Sequence, residues 1–297
     1  MARERELHGV MPYLVSPIGD DGRVRREVLT RLCEHLIAQG VHGLVPLGST
    51  GEFAYLDRAQ KAEIIATVVE AARGRVPVIV GIAATTIREA ISMAREAEAL
   101  GADGILAILE AYFPIPDDGV AAYFEAIAAA TPLPVCLYTN PNFQRSDISI
   151  PVLKRLVATS PTIGYIKDAS TNTGRLLSIM EATEGRMKVF AASAHIPACV
   201  MLIGGVGWMA GPACIVARRS VELYELCRRG EWAAVMEAQR PLWAINQVFA
   251  KYGLAACIKG ALELQGFDVG PPLPPQAPLD EAGRSEVRAA LQRVGAL

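Results

Sequence analysis

Of the six lysines in the chain, Lys167 alone sits inside a run that reads as a buried strand, Gly164-Tyr165-Ile166-Lys167-Asp168-Ala169-Ser170. Lys61, Lys154, Lys251 and Lys259 fall in polar helical stretches and Lys188 flanks a strand, positions from which an ammonium is expected to reach water. Burial disfavours the charged amine, and moving a lysine from a reference pKa of ~10.4 to ~7–8 costs roughly 3–4 kcal/mol. A neutral amine is a nucleophile, and its commonest use is attack on a carbonyl carbon to form a Schiff base. The other reading of the same residue is an ion pair at a strand end, with Asp168 as partner.

Two further groups gain meaning beside such a lysine. Tyr138 closes the run Pro134-Val135-Cys136-Leu137-Tyr138-Thr139-Asn140, about one βα unit before Lys167. Its hydroxyl can move the protons that carbinolamine formation and dehydration require; the alternative is a core tyrosine with a satisfied hydroxyl. Leu47-Gly48-Ser49-Thr50-Gly51-Glu52 offers hydroxyl and amide donors between two glycines, enough to seat a small carboxylate. Alone it reads as a tight turn, and it lacks the Gly-Lys-Ser/Thr ending of a phosphate loop. His8, His35, His42 and His195 lie far apart in the sequence without ligand spacing, so no metal is expected. No Gly-x-Ser-x-Gly elbow is present, Asp117-Asp118 reads as a helix start, and Asp20-Asp21-Gly22 reads as a turn.

The elements that must position these residues alternate between short Val/Ile/Leu-rich runs and longer helical patterns, the form of repeated βα units around a parallel sheet. Eight strand candidates cover 10–16, 43–47, 76–82, 104–109, 135–139, 164–167, 188–192 and 205–209. Eight units predict a closed α/β barrel, residues 1–229, and no strand follows. Residues 230–297 read as a C-terminal helical extension in which the Pro-rich stretch from Gly270 to Pro275 is a stiff connector. In such a barrel the strand C-termini build the site, and period-2 alternation puts Tyr165, Lys167 and Ala169 on one face and Asp168 on the other.

The charge balance of −2, without a basic stripe, points away from nucleic acid and anionic membranes. Six cysteines without metal-type spacing read as reduced thiols, and no apolar stretch is long enough to span a bilayer. A soluble, cytoplasmic protein with a small-molecule partner is expected.

Gly48-Ser49-Thr50-Gly51-Glu52, Tyr138-Thr139-Asn140-Pro141, Ile166-Lys167-Asp168-Ala169 and Gly204-Gly205-Val206-Gly207, in this order and spacing, resemble the dihydrodipicolinate synthase and N-acetylneuraminate lyase family. The resemblance runs from about Gly9 through the C-terminal helices. It implies a TIM barrel with a helical extension, a homotetramer, and Schiff-base chemistry on pyruvate or a related 2-oxo acid without metal or organic cofactor. Lys167 would form the imine, Tyr138 and Ser49 would handle protons, and Gly48, Ser49 and Thr50 would hold the carboxylate.

The chain also departs from the pattern. The synthases' arginine after the tyrosine motif falls at Phe143, with Arg145 two residues on, and their second relay tyrosine falls at Phe113. Where the sugar-acid lyases grip hydroxyls, this chain has Ala192-Ser193-Ala194-His195 and Trp208. Phe113, Phe143 and Trp208 would make a more apolar pocket with His195 as one polar handle, and Val206 would also contact substrate. The expected function is therefore a 2-oxo acid lyase, whether aldolase, hydratase-aldolase or dehydratase. The alternatives are dihydrodipicolinate synthase itself and a catalytically silent 2-oxo acid binder.

Overall fold

Apolar β-branched runs become buried strands and the amphipathic stretches between them become helices. In a computed structural model, residues 6–141, 145 and 147–297 are described. The chain runs β1 (Gly9–Pro12), α1 (Arg26–Ala38), α2 (Arg58–Ala72), β2 (Ile79–Ala84), α3 (Ile87–Ala99), β3 (Gly104–Leu109), α4 (Asp117–Ala130) and β4 (Val135–Thr139). It continues through α5 (Ile150–Thr159), β5 (Ile163–Asp168), α6 (Thr173–Ala182), β6 (Lys188–Ala191), α7 (Pro197–Leu202), β7 (Gly207–Ala210) and α8 (Ala217–Arg229). It ends in α9 (Trp232–Tyr252), α10 (Leu254–Leu264) and α11 (Glu281–Arg293). This is the α/β TIM-barrel fold with a C-terminal helical extension.

Two compact units divide the chain, Met1–Val78 with Met209–Leu297, and Ile79–Trp208. In the second, β2 through β6 and the start of β7 pair in parallel and in sequence order. Every residue of β2, β3 and β4 is buried, as expected of strands covered on both faces. Helix starts are set by side-chain caps: Thr86 accepts from the Glu89 amide, Ser149 from Val152 and Asn172 from Arg175. Asp117 opens α4 as expected.

In the first unit the expected strand at 43–47 is reduced to isolated bridges, Val45 to Tyr13 and Leu44 to Val78. Pro46 has no amide to give the ladder and Leu47 turns left-handed at φ 59°, so pairing stops there. The Asp20-Asp21-Gly22 turn forms, with Gly22 at φ 76° and the Asp21 carboxylate accepting from the Arg23 amide. His8 and His42, remote in sequence, meet in space with ring centroids 5.3 Å apart, and His8 shares a 3.2 Å hydrogen bond with Tyr224. Among the described residues no group of three or more His, Cys, Asp or Glu side chains could hold a metal, and the six cysteines are unpaired. No helix among them is long and apolar enough to cross a membrane.

Candidate active site

Register brings the first pair of functional side chains together. Tyr138 on β4 and Lys167 on β5 are direct cross-strand partners, so both project from one face at the C-terminal ends of their strands. The Lys167 ammonium nitrogen lies 4.0 Å from the centre of the Tyr138 ring. Lys167 is 3% exposed, and burial pushes its amine down to about 7, against a small opposing effect of the Cys136 thiol. It is thus part neutral at physiological pH, the state that attacks a carbonyl. The Asn140 side-chain amide donates to the Tyr138 hydroxyl oxygen at 3.0 Å, with both residues buried. One lone pair of the phenol is thereby committed and its hydroxyl oriented.

Asp168 takes the opposite face, as alternation requires, so the ion-pair reading of Lys167 does not hold with this neighbour. Asp168 is wholly buried and accepts at 2.7 Å from Arg175 Nε and at 2.8 Å from the Ser170 amide. Arg175 also donates to the Ile148 carbonyl at 2.6 Å and the Asp147 carboxylate at 3.2 Å. Asp147 in turn accepts from the Thr139 hydroxyl at 2.8 Å. One guanidinium, placed by the Asn172 cap at the start of α6, therefore ties the end of β5 to the segment that leaves β4 behind Tyr138.

His195 lies in the turn between β6 and α7. It is buried, and neither ring nitrogen has a hydrogen-bond partner among the described residues. Burial pushes its pKa down; the Asp168 charge opposes this and Lys167 adds to it. Trp208 is buried on β7 and Val206 half-buried before it, whereas Phe113 stands 70% exposed with its ring edge-on to Tyr112. Phe143 lies outside the described residues, and Arg145 is exposed.

In the other unit, Ser49, Thr50 and Gly51 form a single 3-10 turn between two left-handed residues, Leu47 and Glu52. Gly48 packs so closely on Tyr13 that an added Cβ would lie 2.6 Å from the ring, and Gly211 likewise leaves room for Thr50. The Ser16 hydroxyl donates to the Gly51 carbonyl at 2.6 Å. Ser49 is half-buried and Thr50 buried.

Lys259 overturns one expectation. It is 1% exposed on α10, a helix with eight buried residues, and its ammonium lies 2.5 Å from the equally buried Glu52 carboxylate. Burial lowers its pKa while Glu52 opposes the shift. The signal that singled out Lys167, a lone lysine in an apolar run, is also present in Ala255-Ala256-Cys257-Ile258-Lys259-Gly260-Ala261-Leu262. A helix apolar on all sides is a buried one.

A buried, partly neutral lysine at the end of a barrel strand beside an oriented tyrosine is the arrangement that a lyase of the class I aldolase type needs. The dihydrodipicolinate synthetase family model matches residues 6–294, and the chain belongs to that family. It is 34% identical to a 4-hydroxy-tetrahydrodipicolinate synthase of Acidiphilium cryptum over 98% of this chain and 99% of that one. Among solved structures it is similar to the 4-hydroxy-tetrahydrodipicolinate synthase of Methylacidiphilum fumariolicum, with a TM-score of 0.93 and 27% identity over 98% of this chain and 96% of that one. It is also similar to YagE, a prophage protein of Escherichia coli K12 solved in complex with pyruvate, with a TM-score of 0.92 and 28% identity over 98% and 99% of the two chains.

Proposed function

We propose that this protein forms a Schiff base between Lys167 and pyruvate or a related 2-oxo acid, and makes or breaks a bond at the donor's C3 through the enamine. The observation that carries this is the buried Lys167, held near neutrality against Tyr138. The neutral amine adds to the C2 carbonyl, Tyr138 protonates the departing oxygen, and water leaves to give the imine. Loss of a C3 proton then gives the enamine, which adds to an aldehyde; in the reverse direction, cleavage of the bond beyond C3 leaves the same enamine. Hydrolysis frees Lys167. Ser49 and Thr50, with the Gly48 backbone, are assigned to the donor carboxylate on their motif. His195 is assigned to the variable part of the substrate, supported by two ring nitrogens without partners among the described residues.

The second partner in this reading is an aldehyde other than aspartate semialdehyde. Phe143 stands where the synthases use arginine for that substrate's carboxylate, and Phe113 where they use a relay tyrosine. The synthase reading is favoured by the relatives named 4-hydroxy-tetrahydrodipicolinate synthase. A homotetramer in the cytoplasm belongs to the same proposal, by family resemblance.

The test is intact mass after incubation with pyruvate and borohydride, followed by peptide mapping. A reduced pyruvyl adduct on Lys167, absent in Lys167→Ala, is the expected result; no adduct with any 2-oxo acid would sink the proposal. Turnover of pyruvate with aspartate semialdehyde at the rate of an ordinary metabolic enzyme would favour the synthase reading instead.

A further inference from the structure

Glu52 and Lys259 form a fully buried ion pair at 2.5 Å, and the pair recruits a third segment. The second Glu52 oxygen, Oε1, accepts from the Leu273 amide at 2.6 Å and from the Gln276 side-chain amide at 2.8 Å. Lys259 donates to the Pro271 carbonyl at 2.9 Å. The turn at Ser49–Gly51, helix α10 and the Pro-rich connector thus share one cluster of charges. A buried ion pair is a poor way to gain stability, because well-packed apolar side chains of similar volume do as well or better. What the cluster fixes is conformation. Glu52 is left-handed at φ 55° directly after the turn, a state a β-carbon residue keeps only when its surroundings over-determine it. Gly211 leaves no slack beside Thr50, since an added Cβ would lie 2.5 Å from its hydroxyl oxygen.

We propose that the Glu52–Lys259 pair is a positioning device that holds the Ser49–Thr50 turn in the geometry that receives the 2-oxo acid's carboxylate, an inference resting on the carboxylate assignment above. The connector from Pro271 to Gln276 is its third component, so the C-terminal helical extension sets donor affinity without touching the donor. Neither residue is catalytic: both act through the turn.

The experiment measures borohydride trapping on Lys167 as a function of pyruvate concentration, together with hydrogen exchange of the amides in 48–53 and 271–276. Lys259→Met is expected to raise half-saturating pyruvate tenfold or more while the trapping rate at saturation changes less than threefold, and to speed exchange in both segments together. Glu52→Gln/Lys259→Met removes both charges and keeps the Oε1 acceptor, and should return half-saturation to within threefold of the unaltered protein. If Lys259→Met fails to fold, Glu52→Gln takes its place, with a rise of threefold or more expected. Lys251→Met, which breaks the exposed pair with Glu286, is the control and leaves both readouts unchanged. A folded Lys259→Met with lowered thermal stability and unchanged half-saturation overturns the inference and leaves the Schiff-base reading standing. Absence of any adduct in the unaltered protein overturns that reading, and with it the ligand assigned to the turn.

Discussion

Lys167 is protonated at neutral pH in the unfolded chain and only about half protonated in the folded one, since burial brings its pKa from 10.5 to about 7. Two predictions follow from the sign of that shift. Borohydride trapping should rise with pH through about 7 and level off near 8, because only the neutral amine attacks, and at pH 6 roughly a tenth of it is neutral. A pH-independent trapping rate would contradict the assignment. The linked effect on stability runs through the same protons. Between about 7 and 10.5 the unfolded state binds more protons than the folded one, so stability rises with pH, and the full cost applies below pH 7. Lys167→Met should therefore stabilise the fold by on the order of 4 kcal/mol at pH 7, a gain that shrinks towards zero near pH 10. Urea titrations of both proteins at the two pH values measure it. Asn140 is tested at the same scale: Asn140→Leu removes the donor that orients the Tyr138 hydroxyl, and trapping at saturating pyruvate should slow roughly 10–100-fold with little change in half-saturation. An unchanged rate would reduce Asn140 to packing.

At the scale of elements, the end of β5 and the exit from β4 are held by Arg175 on α6 in addition to their own ladder, which pairs Thr139 with Asp168. Arg175→Met leaves the fully buried Asp168 carboxylate with the Ser170 amide, the other of its two hydrogen bonds described above. Breaking a buried pair on one side costs about 3–5 kcal/mol, so the urea midpoint should fall sharply, and Asp168→Asn/Arg175→Met should recover much of the loss. Equal midpoints for the two variants would show that the pair carries no such cost. Elements of this kind were largely legible in the sequence where pattern and cap coincide. The strands Gly104–Leu109 and Val135–Thr139 fall where the apolar pattern put them, and Tyr138 and Lys167 share a face because alternation and unit order both require it. What stayed illegible depends on the third dimension. Pro46 withdraws an amide from an otherwise strand-like run, and the carboxylate of Glu52 meets the ammonium of Lys259 more than two hundred residues away. Nor did the polar look of helical lysines reveal that α10 is buried on nearly every side.

For the whole molecule, the resemblance implies a tetramer, and this chain exposes a surface that suits one. Tyr112 and Phe113, 76% and 70% exposed, stand edge-on to each other at 4.9 Å after β3, with Ile115 beside them at 37%. Each aromatic ring can bury ~150–250 Å². With about three quarters of each ring still exposed, at ~25 cal/mol/Å² the two together yield roughly 5–9 kcal/mol before costs, and association itself takes ~4–15 kcal/mol. The rings can therefore anchor an interface but cannot supply it alone, and a lasting contact needs a larger patch around them. A formal charge of −2 on 297 residues puts little self-repulsion in the way of assembly. Light scattering after size exclusion should give four times the 31.7 kDa chain mass for the unaltered protein. Phe113→Asp places a carboxylate where the ring would be desolvated, so it should drop the mass to a dimer or monomer while far-ultraviolet circular dichroism stays unchanged. An intact tetramer in that variant would move the interface away from the loop after β3. A monomer in the unaltered protein would remove the assembly altogether, and Lys167 trapping would then have to proceed with the residues of a single chain.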